Sequence, residues 1–470
     1  MSSQSSHKRI PQLEKAVSPE ERRAEGKAIR KKVPRSSHGE WSPPSDRPDP
    51  VDVITSQDTG RVQWLVPIRH GRMSDSPFAF YRGAAKIMAA DLSHTPKTGL
   101  KTQICGDGHL ANFGSYGSPD RRQVFDVNDF DETLPGPWEW DLKRLAASVV
   151  LAGRDNEFDD EDIGTATLRS VAGYRQAMSK FAEARTLDIW YSQLSLEQIA
   201  GAAPTKQDHK RVKKGAKKAR SKDSLKALSK LAEKVNGIYR IKSEPPLLIP
   251  LRELESSKDP DEMRAAVDDS LSSYRSTLTE SRRLLFDRFT LVDIALKVVG
   301  VGSVGTRCMI VLFQGRDDDD PLFLQIKEAT SSVLEDHLPK SHYHEHGKRV
   351  VEGQRLMQAS SDIFLGWTVH LDSKWHYYWR QFHDMKGSAD VAAMNPGQLA
   401  SYAALCGWTL AHAHARAGDP IAISGYLGSG DVFDRSVADF AFAYADQNDR
   451  DYKAFVDAIK SGKIEATTGE

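Results

Sequence analysis

The sequence predicts an α+β fold in which a small β-rich lobe is set into a larger helical one. Three observations predict it. Between residues 290 and 385 the chain turns β-rich and apolar, with Leu291–Gln314 and Pro321–Ala329 bounded by a glycine turn and by the acidic turn Asp317–Asp320. Helical periodicity dominates on both sides of that block, up to residue 289 and again from Pro396 onward. Finally, Ile104–Asp131 (ICGDGHLANFGSYGSPDRRQVFDVNDFD) gathers polar side chains on a loop between two short strands. Such convergence suits a reaction centre better than a core. A chain of 470 residues accommodates two lobes or two to three domains. Its 65 basic and 65 acidic residues cancel, which gives no ground to expect a nucleic acid or a membrane as partner. No apolar run approaches the roughly 18–20 residues that cross a bilayer, and the N-terminus lacks the apolar segment of a secretory signal. Three widely spaced cysteines argue against a disulfide framework or a CxxC metal site and point to a reducing cytoplasm.

Residues 1–50 read as a mostly disordered basic N-terminal arm, poor in large apolar groups. Within it, Ser18, Pro19 and Glu21 form a start signal for a helix over Pro19–Lys32. The following RKKVPRSSHGEW is an extended strap, either solvated or lying over a phosphate pocket. Residues 51–289 form the helical lobe. Ser76 and Pro77 open a helix carrying Phe80, Ala84, Ile87, Met88 and Leu92 at helical spacing. Arg69, Arg72 and Arg82 surround that start, as phosphate ligands or as surface ion-pair partners. Cys105 reads as a small buried strand residue. A helix from about Trp138 has Asp141 in its first turn, where a carboxylate complements the macrodipole. Asp159–Arg185 and Leu187–Ala200 continue helical, as does Asp261–Phe289 beyond a proline-rich hinge at Glu244–Leu251. The basic run Lys206–Lys222 has no interleaved aromatics, so it reads as a solvated face. In the β-rich lobe, 290–385, a helix over Ser341–Gln358 precedes strands at Asp362–Thr368 and Trp375–His383. Helices from 386 to 470 complete the helical lobe.

Two distant parts carry the chemistry together. The loop supplies Asp107, His109 and Asn112, followed by Asp126, Asp129 and Asp131. An Asp–x4–Asn spacing followed by Asp-Phe-Asp is what phosphoryl transfer needs: one carboxylate to orient the accepting hydroxyl, an amide and a second carboxylate to hold magnesium against ATP. The β-rich block supplies Gly300, Gly302, Ser303 and Gly305 in a GxGxxG run that opens a strand instead of a helix. That context disfavours a dinucleotide site and favours a hairpin that covers nucleotide phosphates. One hairpin later, Lys327 ends an apolar strand and must be paired; Glu352 on the next helix is the expected partner, as in a lysine–glutamate phosphate clamp. The loop precedes the glycine hairpin, so these parts imply a protein-kinase-like two-lobed fold that is circularly permuted.

The motifs PRSSHGEW, SPFAFYRGAA, CGDGHLANFG, FDVNDFDETLPGPWEWDLKRLAAS, LQIKEA, HDMKGS and LAHAHARAGD resemble a bacterial family known as domain of unknown function 2252, over about Pro34 to Tyr452. That resemblance implies no activity. CGDGHLANFG…FDVNDFDE…WDLKRLA is also similar to the pattern of aminoglycoside and choline phosphotransferases. This second resemblance implies that Asp107 matches the catalytic aspartate, Asn112 and Asp129 the metal ligands, and Asp141 the helix aspartate downstream. Cys105 stands where those enzymes have histidine, and Asp126 and Asp131 compete with Asp129 for the metal. The leading expectation is an ATP- and magnesium-dependent phosphotransferase acting on an unknown small-molecule or protein acceptor, with nucleotidyl transfer a variant of it. Two alternatives stand beside it. One is a metal-dependent hydrolase built on Asp107, His109, Asp126, Asp129 and Asp131. The other is a nucleotide-binding pseudokinase.

Overall fold

A computed structural model describes residues 17–203, 205–254, 260–370, 375–382 and 384–468. The fold is mixed α+β. Its β-rich block is one six-stranded antiparallel sheet, in spatial order Gly366–His370, Trp375–Gln381, Pro321–Ala329, Cys308–Gln314, Thr290–Lys297 and Leu248–Pro250. Both faces are covered. Ile310 and Leu312 share a cluster with Leu228 and Ile241 on one side, while Val311 and Phe313 share another with Tyr274 and Phe286. Burial on two faces explains why these strands read as continuous apolar runs. The period of two then places Gln325 and Lys327 on a common face, with Arg380 opposite Gln325 and Tyr378 opposite Lys327 in the register. One end of the sheet is therefore polar. That end meets the Asp129–Asp131 turn.

The remaining sheets are small. Lys101–Ile104 pairs with Leu134–Pro137, and Gly387–Ser388, Phe113–Gly117 and Gln123–Val127 form a three-stranded sheet. They rest on the helices Trp138–Asp155, Asp160–Phe181, Pro396–Ala417 and Val432–Lys460, whose largest core side chains include Trp138 stacked on Tyr174. Among the described residues no helix is long and apolar enough to cross a membrane.

Three expectations need correction. The predicted hinge at Glu244–Leu251 contains an edge strand, Leu248–Pro250, so the sheet begins before residue 290. An edge position tolerates the proline that a central strand would reject. The single helix expected over Leu187–Ala200 is two, Thr186–Tyr191 and Leu196–Gly201. Leu194 between them accepts the Phe125 N–H at 2.8 Å, and Ser195 caps the second helix in a capping box. The N-terminal arm is folded from Val17 onward; residues 1–16 lie outside the described residues. Its helix Pro19–Ile29 packs on Pro420–Leu427 so closely that a Cβ on Gly26 would sit 1.9 Å from the Ala422 carbonyl oxygen. Beyond it, Arg30 donates to the carbonyls of Tyr426 and Gly425, Arg35 donates to that of Leu427, and His38 is buried against the Tyr426 hydroxyl. Arginines that satisfy the carbonyls ending a helix do work that apolar content does not record. The strap thus covers neither solvent nor a phosphate pocket; it binds the C-terminal helices.

Candidate active site

The Ile104–Asn112 loop owes its shape to one buried carboxylate. Asp141, in the first turn of Trp138–Asp155, accepts the N–H groups of Cys105 at 2.7 Å and Gly106 at 2.9 Å. Behind it, His414 Nε2 lies 3.2 Å from Asp141 and His414 Nδ1 lies 2.9 Å from the Tyr174 hydroxyl. Gly106 has φ +81°, and a Cβ there would also meet the Glu132 carbonyl oxygen at 2.5 Å, so only glycine makes this turn. Asp107 then projects toward the cleft with one oxygen 2.5 Å from Arg144 Nε and the other 3.6 Å from His109 Nε2. Arg144 is itself fixed by the Tyr81 carbonyl at 2.9 Å and by the face of the Tyr81 ring. Burial raises the Asp107 carboxyl above its usual range, with Arg144 opposing and Asp129 reinforcing the shift. Burial, then Arg144 and Arg82, hold His109 well below the ordinary histidine value, so its ring is neutral. Asn112 donates its amide to the Asp107 carbonyl at 2.7 Å, which leaves its own oxygen as an acceptor.

The three downstream aspartates have separate fates. Asp126, buried on its strand, accepts the N–H groups of Val127 at 2.9 Å and Ala359 at 3.1 Å, and burial pushes it up to about 7. It takes no part in the cleft. Asp131 is paired at both oxygens: Lys327 Nζ lies 2.6 Å from one and the Tyr378 hydroxyl 2.6 Å from the other. Asp129 accepts the Asp131 N–H at 3.1 Å and stands 3.7 Å from Lys327. Burial works against its charge, but Lys327 and Arg380 outweigh burial and keep it below the usual carboxylate range. The same two aspartates hold Lys327, only 2% exposed, charged against its own burial.

Glu352 does not meet Lys327. It pairs with Arg355 at 2.9 Å on its own helix, His346–Met357. The inward residue of that helix is Arg349, which donates to the carbonyls of Thr133, Asp131 and Thr330 at 2.7–2.9 Å. The lysine clamp closes on the Asp-Phe-Asp turn instead of on the helix glutamate, because the helix has turned an arginine toward that turn.

The glycine hairpin faces this arrangement. Thr290–Lys297 and Cys308–Gln314 pair as its arms, and Gly300 and Gly305 take φ +68° and +88°. Arginines of the helical block hold its backbone: Arg61 reaches the carbonyls of Gly302 at 2.9 Å and Val304 at 2.5 Å, and Arg72 that of Gly300 at 2.8 Å. Gly305 lies against the Arg61 stem and accepts the Val62 N–H at 2.8 Å. A cleft of about 170 Å³, open to solvent, results. Asp107, His109, Asn112, Asp129 and Asp131 line one side of it, and Gly300, Gly302 and Ser303 line the other. Arg61 and Arg82 are also on its wall. Of the predicted residues, Glu352 and Asp126 are drawn elsewhere, and Gly305 and Lys327 stand behind the residues that line the cleft. Sequence reasoning missed Arg144 and Arg61. Arg144 had a usable signal, since it follows Asp141 by three residues in WDLKRLA and such positions share a helix face.

Residues 61–458 match the model of a family described as "Uncharacterized protein conserved in bacteria (DUF2252)". The chain belongs to the DUF2252 family. The match spans every strand of the cleft and both halves of the site, from Arg61 through the loop, the glycine hairpin and Lys327. The strap before residue 61 lies outside it. No curated protein and no solved structure matches the chain. In this DUF2252 member the cleft sets a carboxylate of raised proton affinity and a neutral imidazole beside oxygen acceptors on Asn112 and Asp129. A buried lysine and a glycine turn complete it. Oxygen acceptors of this kind suit a hard divalent cation, and cations with backbone N–H groups suit phosphate.

Proposed function

We propose that this chain is an ATP- and magnesium-dependent phosphotransferase on a circularly permuted kinase-like fold, with a small-molecule or protein acceptor. One observation carries the reading: Lys327 reaches Asp131 and Asp129 at 2.6 and 3.7 Å, although 196 residues separate it from Asp131. The glycine hairpin and the Asp107–Asn112 loop share the cleft beside that pair. Order along the chain supports it too, since glycine hairpin, strand lysine, helix and two further strands follow one another as in the small lobe of a kinase. Asn112 and Asp129 would hold magnesium. Asp131, paired with Lys327 and Tyr378, serves as the lysine's counter-ion. Magnesium and the nucleotide would supply charge neutralisation and the phosphoryl group. The protein's part is positioning: Lys327 and the glycine turn bind phosphate oxygens, and Asp107, held by Arg144, orients the acceptor hydroxyl and takes its proton. Among the described residues no three His, Cys, Asp or Glu side chains converge as metal ligands. A magnesium that shares its coordination with phosphate oxygens and water needs no such trio.

Thermal shift with Mg-ATP on wild type, Asp107→Ala, Lys327→Ala and Asp129→Asn tests the reading. Stabilisation of wild type and Asp107→Ala, with loss in the other two, is the expected pattern. Stabilisation by a transition metal alone, with none from Mg-ATP, would select the hydrolase. Label transferred from γ- but not α-labelled ATP separates phosphoryl from nucleotidyl transfer.

A further inference from the structure

The three arginines around the Pro77–Gly83 helix have different duties. Arg69 is buried and pairs with Asp58 at 3.1 Å, and Arg72 holds the glycine loop at Gly300. Arg82 lines the cleft, and no carboxylate comes within ion-pairing distance of it among the described residues. Its Nε is buried and has no hydrogen-bond partner. A guanidinium stays charged, so one on a cleft wall with no carboxylate paired to it is available to a bound anion.

Its position says which anion. The Arg82 backbone touches the glycine loop, since a Cβ on Gly302 would lie 3.2 Å from the Arg82 carbonyl oxygen. On the other side it acts on the loop that carries the reacting groups: its charge is felt by both Asp107 and His109. A cation between the glycine turn and Asp107 stands where a phosphoryl group must pass from nucleotide to acceptor. Arg61 also lines the cleft but is already committed to the Gly302 and Val304 carbonyls.

Building on the phosphotransferase reading, we infer that Arg82 is a catalytic residue that binds the phosphoryl group in transfer, an arginine finger supplied within the chain. In that step the acceptor oxygen–phosphorus bond forms as the bond from the γ-phosphorus to the bridging oxygen of ADP breaks. The acceptor proton passes to Asp107. Arg82 loses no proton and forms no covalent bond; its guanidinium meets the charge spread over the equatorial oxygens.

Binding of a transition-state mimic tests this without knowledge of the acceptor. Wild type should be stabilised by Mg-ADP and further by Mg-ADP with fluoroaluminate. Arg82→Gln should keep the first shift and lose the second, with the fluoroaluminate complex weakened by about 100-fold or more, in line with the size of arginine-finger effects. Arg82→Lys, which keeps charge without the planar fork, should recover only part of it. It also serves as the readable variant if Arg82→Gln does not fold. A full fluoroaluminate increment in either folded variant would overturn the assignment. If wild type shows no shift with any magnesium nucleotide, the phosphotransferase reading fails, and tripolyphosphate binding without magnesium decides what is left. Loss of that binding in Arg82→Gln retains Arg82 as an anion site, and undiminished binding removes it.

Discussion

Two residues near the cleft make opposite demands on pH and on hydrogen bonding. Asp126 is pushed up to about 7 by burial, against about 3.9 in an unfolded chain. Between those values the folded protein keeps a proton that the unfolded chain has lost, so this group's stabilisation is complete below pH 4 and disappears as pH rises through 7. Asp126→Asn should therefore flatten the fall in melting temperature between pH 5 and pH 7.5. Glu132, also raised to about 7, keeps part of the slope in place. Tyr378 bears on Asp131 directly. Tyr378→Phe removes one of the two donors paired with this carboxylate and should cost roughly 1–3 kcal/mol in urea unfolding. Lys327 remains paired in that variant, so Mg-ATP should still stabilise it. An unchanged midpoint would mean that solvent replaces the tyrosine hydroxyl.

At the scale of elements, the strap and the clamp helix show what the sequence could and could not tell. Strands were legible because a sheet buried on both faces needs apolar runs of strand length, and the runs from Leu291 and from Pro321 have them. The loop was legible because glycines and polar groups cluster there. The partner of Lys327 was not, since periodicity marks a helix's apolar face without saying whether Arg349 or Glu352 is turned toward a distant turn. The strap was misread for a related reason: Arg30 and Arg35 fasten it through backbone carbonyls, and composition counts them as solvated charge. A single added side chain tests how firmly it is held. Gly26→Val should force Pro19–Ile29 away from Pro420–Leu427, given the 1.9 Å approach. Faster proteolysis between residues 30 and 50, with the remaining core resistant, is the expected result.

For the whole molecule, the cleft joins the six-stranded sheet to the helical core. A ligand that bridges them acts on global stability: at 100 times its Kd a nucleotide should add about 2.7 kcal/mol to unfolding. Calorimetry at rising Mg-ATP should show one transition moving upward in wild type and a stationary one in Asp129→Asn. The α+β class and residues on both sides of the cleft could be read from the sequence, and Arg144 had a signal in its spacing from Asp141, while Arg61 had none. Lone arginines look alike until the fold gives each a partner. The strap has a further consequence, for synthesis. Arg22 finds its partner Asp419 after 397 further residues, and Asp131 waits 196 for Lys327. At about 5–20 residues per second those delays are roughly 20–80 s and 10–40 s. While the chain is on the ribosome, the helix Pro19–Ile29 and the carboxylate turn therefore emerge well before the Asp419 and Lys327 side chains that pair with them.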